Sequence, residues 1–119
     1  MSYTHEFGII NDIKDYKEDE YNPQKFNCIS VDGDFIDEIY NKGFKYKIDE
    51  LETFAHNINR PYKGLAYYGT TLIPPSSLND FLQMIIDENI KYNSKELTNL
   101  RNKILEAIKE NKWIIHYGI

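Results

Sequence analysis

Apolar side chains recur in two rhythms along this chain. Short apolar runs bounded by turn residues read as strands, and i, i+3, i+4 stripes read as helices. Phe7 to Ile10 is the first run and predicts a strand. A polar, charge-rich stretch from Lys14 to Gln24 follows, closed by the turn signal Asn22-Pro23. Phe26 to Val31 carries apolar groups on both parities, which predicts a strand covered on both faces, with Cys28 in the core rather than acting as a nucleophile.

Asp32-Gly33-Asp34 breaks that run. Asp34 has the chemistry of a helix cap, with Asp37 three residues on. Phe35, Ile36, Ile39 and Tyr40 then share one face, and Gly43 is the expected stop. Ile48, Leu51, Phe54, Ala55 and Ile58 have helical spacing, so a second helix is predicted from about Lys47 to Asn57, ended by Arg60-Pro61. Gly64 to Ile73, aromatic and β-branched, predicts a strand in which Gly69 marks a bulge or a close approach. Ser77 and Asp80 have capping-box spacing ahead of the stripe Leu78, Phe81, Leu82, Ile85, Ile86. Ser94 is the expected cap of a last helix facing inward through Leu97, Leu100, Ile104, Leu105 and Ile108. Trp113 to Tyr117 predicts a terminal strand, with the C-terminus held in the sheet. The order is β, β, α, α, β, α, α, β. The expected fold is α+β, a single compact domain over residues 1–119 with a roughly four-stranded sheet and about four helices.

Composition narrows the function classes. At 119 residues, 41% hydrophobic, the chain has the size and apolar content for one real core. No apolar run reaches the ~20 residues of a bilayer span, and Met1 to Asp12 lacks the basic flank and apolar core of a signal peptide. The single cysteine excludes an internal disulfide. A soluble cytoplasmic protein, with neither cofactor nor metal, is the expectation.

The net charge of −5 is unevenly placed. Residues 1–59 hold 13 acidic and 6 basic side chains, net −7, whereas residues 60–119 hold 6 acidic and 8 basic, net +2. An acidic half repels phosphate, which disfavours nucleic acid and suits a basic protein partner. Ten tyrosines strengthen this reading. Tyr3, Tyr16, Tyr21, Tyr40, Tyr46 and Tyr62 fall at element ends or in polar loops, and tyrosine is enriched at protein interfaces. Codon bias toward A and T would raise Tyr, Asn, Ile and Lys together, and this chain is rich in all four.

Catalytic motifs are sparse. His5-Glu6 and His116 sit on the two terminal strands. If those strands are neighbours, the three could serve a small hydrolase or metal-dependent enzyme. His56 has no second histidine at metalloprotease spacing. A calcium loop starting at Asp32 fails, with Ile36 at its fifth position, Asp37 where glycine is required and Gly43 at its twelfth. Ser76 and Ser77 lack a nucleophile elbow, and no phosphate-binding glycine motif occurs.

Three stretches carry a resemblance. They are Ser2-Tyr3-Thr4-His5-Glu6-Phe7-Gly8-Ile9-Ile10; Tyr21-Asn22-Pro23 through Asn27-Cys28-Ile29-Ser30-Val31-Asp32; and Arg60-Pro61 through Gly64-Leu65-Ala66-Tyr67-Tyr68-Gly69. The third continues through Thr71-Leu72-Ile73-Pro74-Pro75 and Ser77-Leu78 to the ending Ile115-His116-Tyr117-Gly118-Ile119. In this joint order the chain resembles small Firmicutes immunity proteins encoded beside LXG-type polymorphic toxins. The resemblance implies a non-enzymatic binding protein that blocks the C-terminal toxin domain, often a nuclease, in the producing cell; a monomer or homodimer is expected. Asp15, Glu18, Asp19, Glu20, Asp32, Asp34, Asp37, Glu38 and Tyr40 are the expected toxin contacts. A homodimeric scaffold built through tyrosine-rich strands is a blander alternative.

Overall fold

The computed structural model describes residues 4–11, 14, 16, 17, 21, 23–55, 57–66 and 69–118. Its strands are β1 (Thr4–Ile10), β2 (Ile29–Asp32), β3 (Glu52–Ala55), β4 (Pro61–Lys63), β5 (Gly69–Ile73) and β6 (Trp113–Gly118). Its helices are α1 (Gly33–Ile39), α2 (Lys45–Ile48), α3 (Pro75–Tyr92) and α4 (Lys95–Glu110). The strands form one six-stranded antiparallel sheet in the order β2-β1-β6-β5-β3-β4. The domain is α+β as expected, but the sheet has six strands rather than four.

Strand alternation sorts the side chains onto two faces. Phe7, Val31, Ile73 and Ile114 turn to one face and pack against Leu78, Phe81 and Ile85 of α3 and Leu97, Leu100, Ile104 and Ala107 of α4. Ile10, Leu72, Ile115 and Tyr117 turn to the other, where Phe26, Cys28 and Tyr16 cover them. Gly8 permits that cover: a Cβ there would stand 2.6 Å from Cys28 Sγ and 2.7 Å from the Phe26 carbonyl oxygen. Burying each large side chain of these clusters contributes about 1.5–3 kcal/mol.

The largest departure from expectation is the helix over Lys47 to Asn57. The chain makes only the short α2 and then enters β3, which pairs with β5 and β4. Ile48 and Leu51 do join the helix-side core, but Phe54 points to the opposite face against Trp113. Thr53 and Phe54 suit a pleat, and tertiary pairing overrides the accidental helical spacing. Of the strand expected over Gly64 to Ile73, β5 covers Gly69–Ile73 and Gly64 to Ala66 lie outside any strand, with Tyr67 and Tyr68 outside the described residues; Pro61 opens the unforeseen β4, an edge strand where a missing N–H is tolerated. The Phe26 to Val31 strand likewise begins later, at Ile29.

Helix caps also differ. α1 starts at Gly33, so Asp34 lies in its first turn rather than capping it. Ser77 is inside α3, where its hydroxyl donates to the Glu52 carbonyl at 2.6 Å and ties the helix to β3. Ser94 caps α4 as expected, accepting from the Glu96 and Leu97 amides. Leu105, placed inward by periodicity, is 45% exposed, and Ala107 takes the buried position. α1 ends at Ile39, four residues before the expected stop; between it and α2, Tyr40 to Phe44 forms a wide turn that breaks helical geometry at Lys42 and Gly43, the latter at φ +115°, which glycine adopts readily. No helix among the described residues is long and apolar enough to cross a membrane.

Candidate functional site

β1 and β6 are adjacent, with Phe7 opposite His116, so the two terminal-strand histidines meet. His5 Nδ1 lies 2.8 Å from His116 Nε2, and the rings stack with centroids 5.0 Å apart. His116 Nδ1 is 3.3 Å from Thr71 Oγ1, which accepts the Ala66 amide at 2.8 Å. One proton assignment runs through these three contacts in series. Ala66 N–H donates to Thr71, the Thr71 hydroxyl to His116 Nδ1, and His116 Nε2–H to His5 Nδ1. Both histidines are buried, and Phe7 packs on the His116 ring. Burial lowers the pKa of each. For His5 the nearby Asp37 carboxylate opposes the shift, and for His116 the His5 ring adds to it.

Glu6 does not join them. Alternation turns it to the opposite face of β1, where it accepts a hydrogen bond from the Tyr21 hydroxyl. Desolvation, and then that carboxylate, push the Tyr21 phenol above its ordinary range. Burial, with Glu6 adding, raises the Cys28 thiol to about 12, so it stays protonated and unreactive near neutral pH. The enzyme constellation of His5, Glu6 and His116 is therefore split across the sheet.

The expected contact residues divide. Asp15, Glu18, Asp19 and Glu20 lie outside the described residues. Asp32, Asp34 and Glu38 are exposed on β2 and α1, at one edge of the sheet. The Asp32 amide donates to Glu96 Oε2 at 2.6 Å, which brings a further carboxylate from α4 to this edge. Lys42 pairs with Glu38 at 3.0 Å, an exposed contact of little energetic weight. Of the tyrosines expected at the surface, Tyr21, Tyr46 and Tyr62 are 51%, 80% and 45% exposed, whereas Tyr16 and Tyr40 are half-buried against the core and Tyr3 lies outside the described residues.

Asp37 and Tyr40 face elsewhere, into a cavity of about 170 Å³. Its wall is completed by His5, Asp49, Tyr62 and the apolar side chains of Ile36, Phe44, Ile48 and Leu65. Four parts of the chain build it: β1, α1 with its wide turn, α2 with the residue that follows it, and β4 with the segment after it. The Tyr40 hydroxyl reaches both Asp49 carboxylate oxygens at 3.2 Å. Burial, and then Asp49, raise the Tyr40 phenol. Gly64, at φ +83°, lets the chain pass close by; a Cβ there would lie 3.1 Å from Asp49 Oδ1. Asp49 was not legible as a site residue, because nothing in its neighbours marks it. Its role comes from β4 folding back beside α2. Among the described residues, no group of three His, Cys, Asp or Glu side chains is arranged to hold a metal ion. Comparisons with family models, with curated proteins and with solved structures return no match to this chain.

Proposed function

We propose that this chain is an immunity protein that binds and neutralises the C-terminal toxin domain of a cognate LXG-type polymorphic toxin in the cytoplasm of the producing cell. The observation that carries this reading is the acidic edge formed by Asp32, Asp34, Glu38 and Glu96. Exposed tyrosines elsewhere on the surface add interface-forming area. Such an edge suits a basic partner, and a nuclease domain is basic because it grips phosphate. The separation of Glu6 from the histidine pair removes the arrangement on which a hydrolase reading rested.

Co-expression with the toxin domain tests this directly. Growth should be rescued and the two chains should bind one to one in calorimetry; full toxicity despite co-expression refutes the proposal. Charge reversal at Asp34 and Glu38 should slow association about tenfold at low salt while changing dissociation much less. An unchanged association rate would move the contact surface away from α1.

A further inference from the structure

Resting on the immunity reading, and sharpening it, we propose that the cavity beside Asp37 and Asp49 is a receptor for one basic side chain presented by the partner protein. The argument starts from charge. Two carboxylates on different elements, α1 and the residue after α2, line one small cavity, and among its described lining residues none is Lys or Arg. A cation entering would meet acceptors on two sides. Asp49 already accepts the Tyr40 hydroxyl, yet a carboxylate offers about four acceptor positions, so capacity remains for a charged donor.

The apolar wall supplies the second half of the fit. A basic side chain is a hydrocarbon stem with a charged head. Ile36, Phe44, Ile48 and Leu65 match the stem, and the Asp37 and Asp49 carboxylates with the Tyr40 and Tyr62 rings match the head. Tyrosine faces attract ammonium and guanidinium groups. Size agrees as well: about 170 Å³ falls below the ~300–1,000 Å³ of pockets that enclose small-molecule ligands. That is room for one long side chain and too little for a nucleotide or a folded segment. The Tyr62 side chain, 45% exposed, is part of the wall.

The test uses the full chain and small probes. Amide and side-chain NMR shifts would be followed while N-acetyl-arginine amide, N-acetyl-lysine amide or the neutral isostere N-acetyl-citrulline amide is added. The arginine or the lysine probe, or both, should saturate with dissociation constants of ~1–10 mM, with shifts centred on Asp37, Tyr40, Asp49 and Leu65. The stronger of the two identifies the head group. Citrulline should bind at least fivefold more weakly. Asp37→Asn and Asp49→Asn should each weaken the preferred probe at least threefold. Asp37→Asn leaves the Tyr40–Asp49 contact in place and keeps the test valid if Asp49→Asn perturbs the fold. No saturable shift up to ~100 mM, equal binding of citrulline, or binding unaffected in the Asp37 variant overturns the proposal. The two readings fail separately. If co-expression rescue persists while the probes do not bind, the cavity assignment falls and the immunity reading stands. Probe binding without toxin neutralisation gives the reverse.

Discussion

Acid should loosen this fold through His116, and the size of the effect follows from its burial. The ring has no solvent exposure and sits between His5, Thr71 and Phe7. Desolvation, then the neighbouring His5 ring, lower its pKa well below the usual 6.5. Above pH 6.5 the residue is neutral in both the folded and the unfolded chain, and its contribution to stability is complete. Below pH 6.5 the unfolded chain takes up a proton that the folded chain refuses. Stability therefore falls as pH drops from 6.5 toward the folded-state value, by up to about 1.4 kcal/mol per pH unit for one such group. Integrated from pH 7.5 to 5.5, linkage gives about 1.4 kcal/mol for His116, and His5 adds a loss of the same sign. In a domain of this size that corresponds to a fall in Tm of about 5 °C. Urea unfolding at pH 7.5, 6.5 and 5.5 measures it. His116→Gln keeps a neutral donor and acceptor near the Nε2 position and should shrink the pH dependence by about 1.4 kcal/mol relative to the parent. A parent chain whose stability is flat or rising over this interval refutes the reasoning, as does a glutamine variant with an unaltered pH profile.

Three further perturbations test the packing. Gly8→Ala should destabilise by about 1–3 kcal/mol in denaturant melts, because the new methyl meets Cys28 Sγ and the Phe26 backbone. Thr71→Val keeps the shape but removes the acceptor of the Ala66 amide and the donor to His116. A loss of about 1–3 kcal/mol is expected, and a neutral result would break the proton assignment. The Cys28 thiol, raised to about 12, should resist a thiol reagent at pH 8 in the folded chain and react rapidly once urea unfolds it, as followed by mass spectrometry.

Long periodic elements were readable because each repeats its signal several times. α3 and α4 follow their apolar stripes, and Ser94 caps where its chemistry says it should. β3 and β4 were not readable. They have four and three residues, fewer than a period-2 pattern needs to outvote five apolar positions at helical spacing. The site shows the same division. The meeting of His5 and His116 was legible as a possibility of strand adjacency, but Glu6 was grouped with them by chain proximity, when adjacent strand residues necessarily face opposite ways. The cavity was invisible because its carboxylates, Asp37 and Asp49, are joined only by folding. Periodicity placed Tyr40 with Phe35 and Ile36 on one face of α1, and Asp49 within a helix that does not form.

The position of β6 makes the continuity of the sheet depend on one strand. β2 and β1 make one half of the sheet, β5, β3 and β4 the other, and β6 is the strand that joins them. Among the described strands it is also the last in chain order. Until it arrives, β1 and β5 each hold an open inner edge, and His5 waits for a partner 111 residues away. Closing the sheet therefore depends on contacts of high sequence separation, whose loop-closure entropy must be met before they form. Without Trp113 to Gly118, β1 and β5 would each present an unpaired strand edge and the two halves of the sheet would share no strand.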